Sequence, residues 1–244
     1  MTHRWLHLRL SAPLMAFGGV AIDHVGHTRD FPSASMLTGL LANALGWRRE
    51  EAERHQALQD RLVFAALIAR QGRVLTDGQN ARLYEAEPGW TTSGVPETRN
   101  SGPSYSNPPV RNQVGNQAGR KWMTHRRRRD YLVDHDCRVV LRLEPGEGPE
   151  LDALARALER PARPLFIGRK PCLPAAPLLQ GWLNASTARA AIETLGLAGR
   201  ALWPSTDGEA DGTVRDLQDL RNWRSGLHGG SRRVIEAEIA GGAS

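Results

Sequence analysis

WLHLRL, residues 5–10, decides how the fold is read. Leu6, Leu8 and Leu10 alternate with His7 and Arg9, the period-two pattern of a strand with one face on a core. The next ordered stretch, DFPSASMLTGLLANALGW at 30–47, changes period, and Leu37, Leu40, Leu41, Ala44 and Leu45 share one side of a helix. Ser33 or Ser35 can cap its start, Pro32 stands just outside and Gly46 can end it. A polar helical stretch, REEAERHQALQD, leads into the strand LVFAALIAR at 62–70, and Gln71-Gly72 turns the chain toward RVLTD. Strand character returns with CRVVLRLE at 137–144, followed by the helical stripe Leu151, Leu154, Ala155 and Leu158. PLFIGRKPCLPAAPLL at 164–179 reads as a strand running into a Gly-basic turn, and a short helix, STARAAIETLG, begins at 186. An acidic loop and RVIEAEI at 233–239 close the chain. This order fits an α+β, ferredoxin-like or RRM-like sheet carrying a long insertion.

The insertion is the segment from Pro88 to about Arg129, dense in Gly, Pro, Ser and Asn; a loop this long in a compact domain is usually functional or disordered. Its charge is one-sided. Between Thr98 and Arg129 stand eight basic residues (Arg99, Arg111, Arg120, Lys121 and Arg126 to Arg129) and no acid. The window carries +8 where the whole chain carries +6, so the rest sums to −2. A local excess of this kind is the footprint of a polyanion site. Arginine forks suit phosphate oxygens, and Trp90, Tyr105 and Trp122 can stack on unpaired bases. Gly168-Arg169-Lys170 forms a second basic turn, whose first residue lets backbone approach a phosphate.

Other chemistries find little support. No apolar run is long enough to cross a bilayer, and the alternating N-terminus does not read as a targeting leader. Two cysteines, Cys137 and Cys172, are too few for a disulfide framework, so a reducing cytoplasm is expected. His125, His135 and Cys137 match no common zinc spacing. The loop beginning at Asp207 starts like a calcium loop, but its twelfth position is Gln218 where a bidentate Glu is needed. Dinucleotide, Walker and nucleophile-elbow motifs are absent. Neither cofactor nor metal is expected. One catalytic reading stays open: metal-independent RNA cleavage, with Tyr105, Lys121 and His125 activating a 2′-hydroxyl and steadying the phosphorane. His, Lys and Tyr are common in any RNA-binding loop, and plain binding is the favoured reading of these three.

LRLSAPLMAFG (8–18), FPSASMLTGLLANALG (31–46), DYLVDHDCRVVL (130–141) and PLFIGRKPCLPAAPLL (164–179) stand in the order found in one family. Over about residues 4–183 the sequence resembles the CasD family, the type I-E form of the fifth CRISPR-associated family. The resemblance implies an RRM-like (RAMP) domain over 1–183, a basic thumb at about 88–129 and a smaller C-terminal extension over 184–244. It implies a Cascade subunit that holds the 5′ handle of the crRNA, contacts a backbone and a large subunit, and meets target DNA only through the complex. Carried over by position, the RNA surface comprises Ser33, Ser35, Arg99, Arg111, Asn112, Gln113, Arg120, Lys121, Trp122, Arg126, Arg127, Arg128, Gly168, Arg169 and Lys170. In the type I-E form a separate enzyme cuts the precursor; in the sister type I-C form this subunit is itself an endoribonuclease, the alternative expectation. Two positions depart from the family pattern: Asp30 stands where a basic residue is frequent, and His135 replaces a small one.

Overall fold

The computed structural model describes residues 1–19, 24–84, 89–90, 96–97, 122–207 and 212–242; for 81–84, 89–90, 96–97 and 122–126 it describes the strand backbone alone. In chain order the elements are β1 (His3–Ser11), β2 (Leu14–Met15), β3 (Val25–Gly26), α1 (Ala34–Ala44), α2 (Ala52–Arg61), β4 (Leu62–Arg70), β5 (Arg73–Tyr84), β6 (Gly89–Trp90), β7 (Pro96–Glu97), β8 (Trp122–Val133), β9 (Asp136–Leu143), α3 (Leu151–Glu159), β10 (Leu179–Ala185), α4 (Ala188–Glu193), β11 (Gly199–Pro204), β12 (Thr213–Leu217) and β13 (Arg232–Ile239). They fall into two compact units. The first comprises Met1–Gly19, Thr28–Leu75 and Tyr131–Ser244; the second comprises Val20–His27 and Thr76–Asp130.

The first unit is built on an antiparallel sheet of seven strands in the order β10-β1-β9-β4-β11-β13-β12. Alternation in β1 sorts its side chains as expected. Leu6, Leu8 and Leu10 enter a core shared with Leu37 and Leu41 of α1, Leu58 of α2, and Leu154 and Leu158 of α3. Trp5 points to the opposite face, where Ala65, Leu67, Val140, Ala201, Trp203 and Ile235 meet Ala188, Ala191 and Ile192 around α4. Two covered faces explain why β4 reads as an unbroken apolar run: Phe64, Ala66 and Ile68 fill one core while Ala65 and Leu67 fill the other.

Three sequence expectations need correction. PLFI at 164–167 is not a strand; four prolines between 164 and 177 remove donors from any ladder, and the segment is held by single backbone bonds. The C-terminal part supplies more strands than RVIEAEI alone. β11 pairs with β4 and β13 with β11, so β11, β13 and β12 extend the sheet itself. Their sequences hide this, because Gly199, Arg200, Pro204 and the exposed β12 break the apolar alternation. Finally, the arginine run at 126–129 lies inside β8, a strand of 12 residues, instead of in the irregular loop.

In the second unit, β8 pairs with β5 and, in parallel, with β3 through Val25–Arg128 and Gly26–Arg129. β6 and β7 pair with each other. Within this unit the Asp130 carboxylate accepts the Thr76 hydroxyl at 2.7 Å and faces His27 Nδ1 at 2.9 Å.

Candidate nucleic-acid interface

Two of the sequence-selected residues in the first unit, Gly168 and Ser33, reach one short piece of backbone, Ala16–Phe17. Gly168 approaches it from one side. Ala16 N–H donates to Ile167 O at 3.2 Å, and the turn is closed by Ile167 N–H to Cys172 O at 2.7 Å and Cys172 N–H to Arg169 O at 2.8 Å. Gly168 has φ +87°, and a Cβ there would stand 1.6 Å from Ala16 O. Only glycine fits so close an approach in the left-handed region. The turn lifts Lys170 into solvent and lays the Arg169 guanidinium 4.8 Å from the centre of the Tyr131 ring. Cys172 lies buried beneath it, and burial raises its thiol above the ordinary range. An uncharged, inaccessible thiol of this kind packs and does not react.

From the other side Ser33 reaches Phe17: its hydroxyl donates to Phe17 O at 3.3 Å and accepts Met36 N–H at 3.1 Å. Ser33 is therefore the N-cap of α1, buried and spent on internal bonds, and it shapes the site from beneath. Ser35 is half-buried, 3.2 Å from Ser33 Oγ. The first free amides of α1 are also taken, by a residue that no local pattern picks out. Asp219 accepts Ala34 N–H on its carboxylate at 3.1 Å and Ser35 N–H on its backbone oxygen at 3.1 Å. A helix start already holding a carboxylate is not open to phosphate, which leaves the Gly168–Lys170 turn as the cationic element here.

The two departures from the family pattern both have structural partners. Asp30 pairs with Arg200, which also meets Glu236 at 3.2 Å and lies 5.2 Å from the Phe31 ring. His135 is fully buried, accepts Gly72 N–H on Nδ1 at 3.0 Å and sits edge-on to Phe17, with ring centroids 5.7 Å apart. Burial lowers its pKa, so the ring is a neutral packing piece behind Phe17.

In the second unit Arg127 and Arg128 are exposed and Arg129 is half-buried. Successive strand side chains face opposite ways, so Arg127 and Arg129 share one face of β8 and Arg128 lies on the other. For Trp122, His125 and Arg126 the strand backbone alone is described. Arg99, Tyr105, Arg111, Asn112, Gln113, Arg120 and Lys121 lie outside the described residues. Each phosphate contact on single-stranded nucleic acid contributes about 0.7 to the slope of log K against log salt. Replacing Arg127 and Arg128 by Gln is expected to flatten that slope by about 1.4 in a filter-binding titration. An unchanged slope would remove these two arginines from the interface.

The residues missed in the sequence are Tyr131, Asp219 and the Ala16–Phe17 backbone. Asp219 lies 185 residues from the amide that it caps, and nothing in the intervening sequence connects the two.

A family model described as CRISPR-associated protein (Cas_Cas5) matches residues 5–235. The CRISPR system Cascade subunit CasD of Escherichia coli (strain K12) is 27% identical over 188 residues, covering 77% of this chain and 75% of that protein. Among solved structures, a chain of a CRISPR RNA-guided surveillance complex superposes with a TM-score of 0.66 at 21% identity, covering 96% of this chain and 89% of its own. The crystal structure of a Cas protein gives a TM-score of 0.56 at 21% identity, covering 96% and 93%.

Proposed function

The chain belongs to the Cas5 family of CRISPR-associated proteins, and from that premise we propose that it is a Cascade subunit of type I-E kind. In this reading it binds the 5′ handle of the crRNA, does not cut it, and works in the cytoplasm beside a backbone and a large subunit. The core is read as RRM-like: β1, the α1–α2 pair, β4, β9, α3 and β10 follow the strand-helix-strand-strand-helix-strand order. Their four strands are adjacent as β10-β1-β9-β4. The stretch Thr76–Asp130 of the second unit lies between β4 and β9 in the chain; within it, residues at about 88–129 are read as the thumb, with residues 184–244 as the C-terminal extension.

The observation that carries the reading is the Gly168 turn. It is pinned against buried backbone and presents Arg169 and Lys170 from a fixed frame, as a site for one phosphate bend requires. In such assemblies guide pairing reads the target while protein holds backbone and ends. A gripping subunit therefore needs rigid cationic turns more than acid–base chemistry.

The test is a denaturing gel of labelled CRISPR-repeat RNA incubated with the purified chain in EDTA, with a native gel alongside. Intact RNA that shifts on the native gel, and prefers repeat over scrambled sequence, is the expected result. A single discrete cleavage product would overturn it and direct attention to Tyr105, Lys121 and His125.

A further inference from the structure

The loop between β12 and β13 carries positive charge that its described surroundings do not neutralise. It is bolted to α2: Gln59 donates to Arg221 O at 2.9 Å and accepts Arg221 N–H at 3.2 Å and Trp223 Nε1–H at 3.1 Å. Trp223 stacks on His55 with ring centroids 4.7 Å apart. On this frame Arg221 and His228 form a backbone bridge. The Arg221 guanidinium donates to Gly226 O at 3.0 Å, while its buried Nε has no hydrogen-bond partner among the described residues. Arg29 joins from the segment before α1, donating to Gln218 O at 2.8 Å, and Arg49 stands exposed between α1 and α2.

Three neighbouring acids are committed elsewhere, Glu51 to Arg54, Glu53 to Arg224 and Asp219 to Arg232, and Glu50, beside Arg49, is exposed. Burial, then Arg49, lowers the proton affinity of Arg221; burial, then Arg221 and Arg29, does so for His228. Four cationic or protonatable groups thus lean on one another, and among the described residues none of them is paired with a carboxylate. An anion bound between them would relieve this mutual repulsion.

We propose that Arg29, Arg49, Arg221 and His228 form a second phosphodiester-binding patch, separate from the Gly168 turn, that takes a nucleic-acid strand by its backbone. Arginine forks, with a ring nitrogen able to donate beside them, match phosphate oxygens and leave base edges unread, so binding there is independent of sequence. The patch does not depend on the chain's recognising a CRISPR handle.

The test uses the full chain carrying Arg29→Gln and Arg49→Gln in titrations between 50 and 200 mM salt. Arg29 bonds a backbone carbonyl and Arg49 is exposed, so neither change opens a buried ion pair. The probes are a 20-nucleotide scrambled RNA and a 20-base-pair DNA duplex. With a single strand the slope should fall by about 1.4, so the affinity lost across that fourfold salt range shrinks about sevenfold. Glu50→Gln, which removes the exposed acid beside Arg49, should steepen the slope and reports on the patch even if the double variant folds poorly. A change with RNA alone identifies an RNA strand, with duplex alone a DNA strand, and either supports the patch. Unchanged slopes with both probes in both variants would overturn it, whether or not the repeat gel supports the handle reading. Loss of repeat preference in the wild-type chain, with these slope changes intact, would overturn the handle reading and keep the patch.

Discussion

Under the proposed function, Gly168→Ala is expected to weaken binding of CRISPR-repeat RNA at least tenfold, and to lower the melting temperature by several degrees. Two penalties coincide at this position. A non-glycine residue at φ +87° costs on the order of 1–2 kcal/mol. The new methyl group would also stand 1.6 Å from Ala16 O, a backbone atom that cannot swing away as a side chain can. Ala16 is buried and its N–H already binds Ile167 O, so moving it breaks the bond that holds the turn to the sheet. Either the turn opens, displacing Arg169 and Lys170, or β2 shifts with Met15 and Phe17 in the core. A total near 3 kcal/mol corresponds to a fall of about 6–12 °C for a chain of this size. Gly18→Ala separates the two penalties. Gly18 has φ +72°, but a methyl group added there would meet no described atom within 4 Å. That variant should lose only about 1–2 kcal/mol and bind RNA as before. Equal melting and equal binding for Gly168→Ala and the wild-type chain would refute the close approach of the turn.

Asp219→Ala should be among the most damaging changes of a charged residue. Its side chain is 1% exposed and holds three things at once. One oxygen accepts Ala34 N–H at the start of α1, and both oxygens accept Arg232 Nε at 3.1 and 3.0 Å. Arg232 Nη2 lies 2.9 Å away, with its guanidinium stacked 4.1 Å from the Phe64 ring. Removing the carboxylate leaves that guanidinium, 18% exposed, over a core aromatic with no counter-charge. Breaking a buried pair in this way costs about 3–5 kcal/mol, and loss of the helix cap adds about 1 kcal/mol. Urea melts will show it as a shifted midpoint. The double variant Asp219→Ala, Arg232→Met should recover a large part of the loss, because the uncompensated charge leaves with its partner. If the single variant costs less than about 1 kcal/mol, the buried pair does not hold the C-terminal strands to α1.

The site was legible in the sequence where its chemistry is local. Gly168-Arg169-Lys170 stands out as a glycine followed by two cations, and the structure shows why the glycine is needed. The start of α1 was legible as well, since Pro32 and Ser33 precede a helical stripe; that Ser33 rather than Ser35 caps it follows from the reach to Phe17 O. Asp219, Tyr131 and the arginine patch around Arg221 were not legible. Each acquires its role from a partner far along the chain, and a single Asp, Tyr or Arg in a polar stretch resembles any surface residue.

By itself the sequence determined the alternating strand at 5–10, the amphipathic helices, the strand at 62–70 and the one-sided charge between 98 and 129. These rest on periodicity and composition, which are properties of neighbours in the chain. Only the tertiary structure decided that PLFI makes no strand, that the arginine run at 126–129 belongs to β8, and that β11, β13 and β12 continue the sheet beyond β4. It also decided that an aspartate near the C-terminus closes the first helix. Strand pairing and buried ion pairs draw their free energy from contacts between residues that are distant in sequence, and no local window contains them.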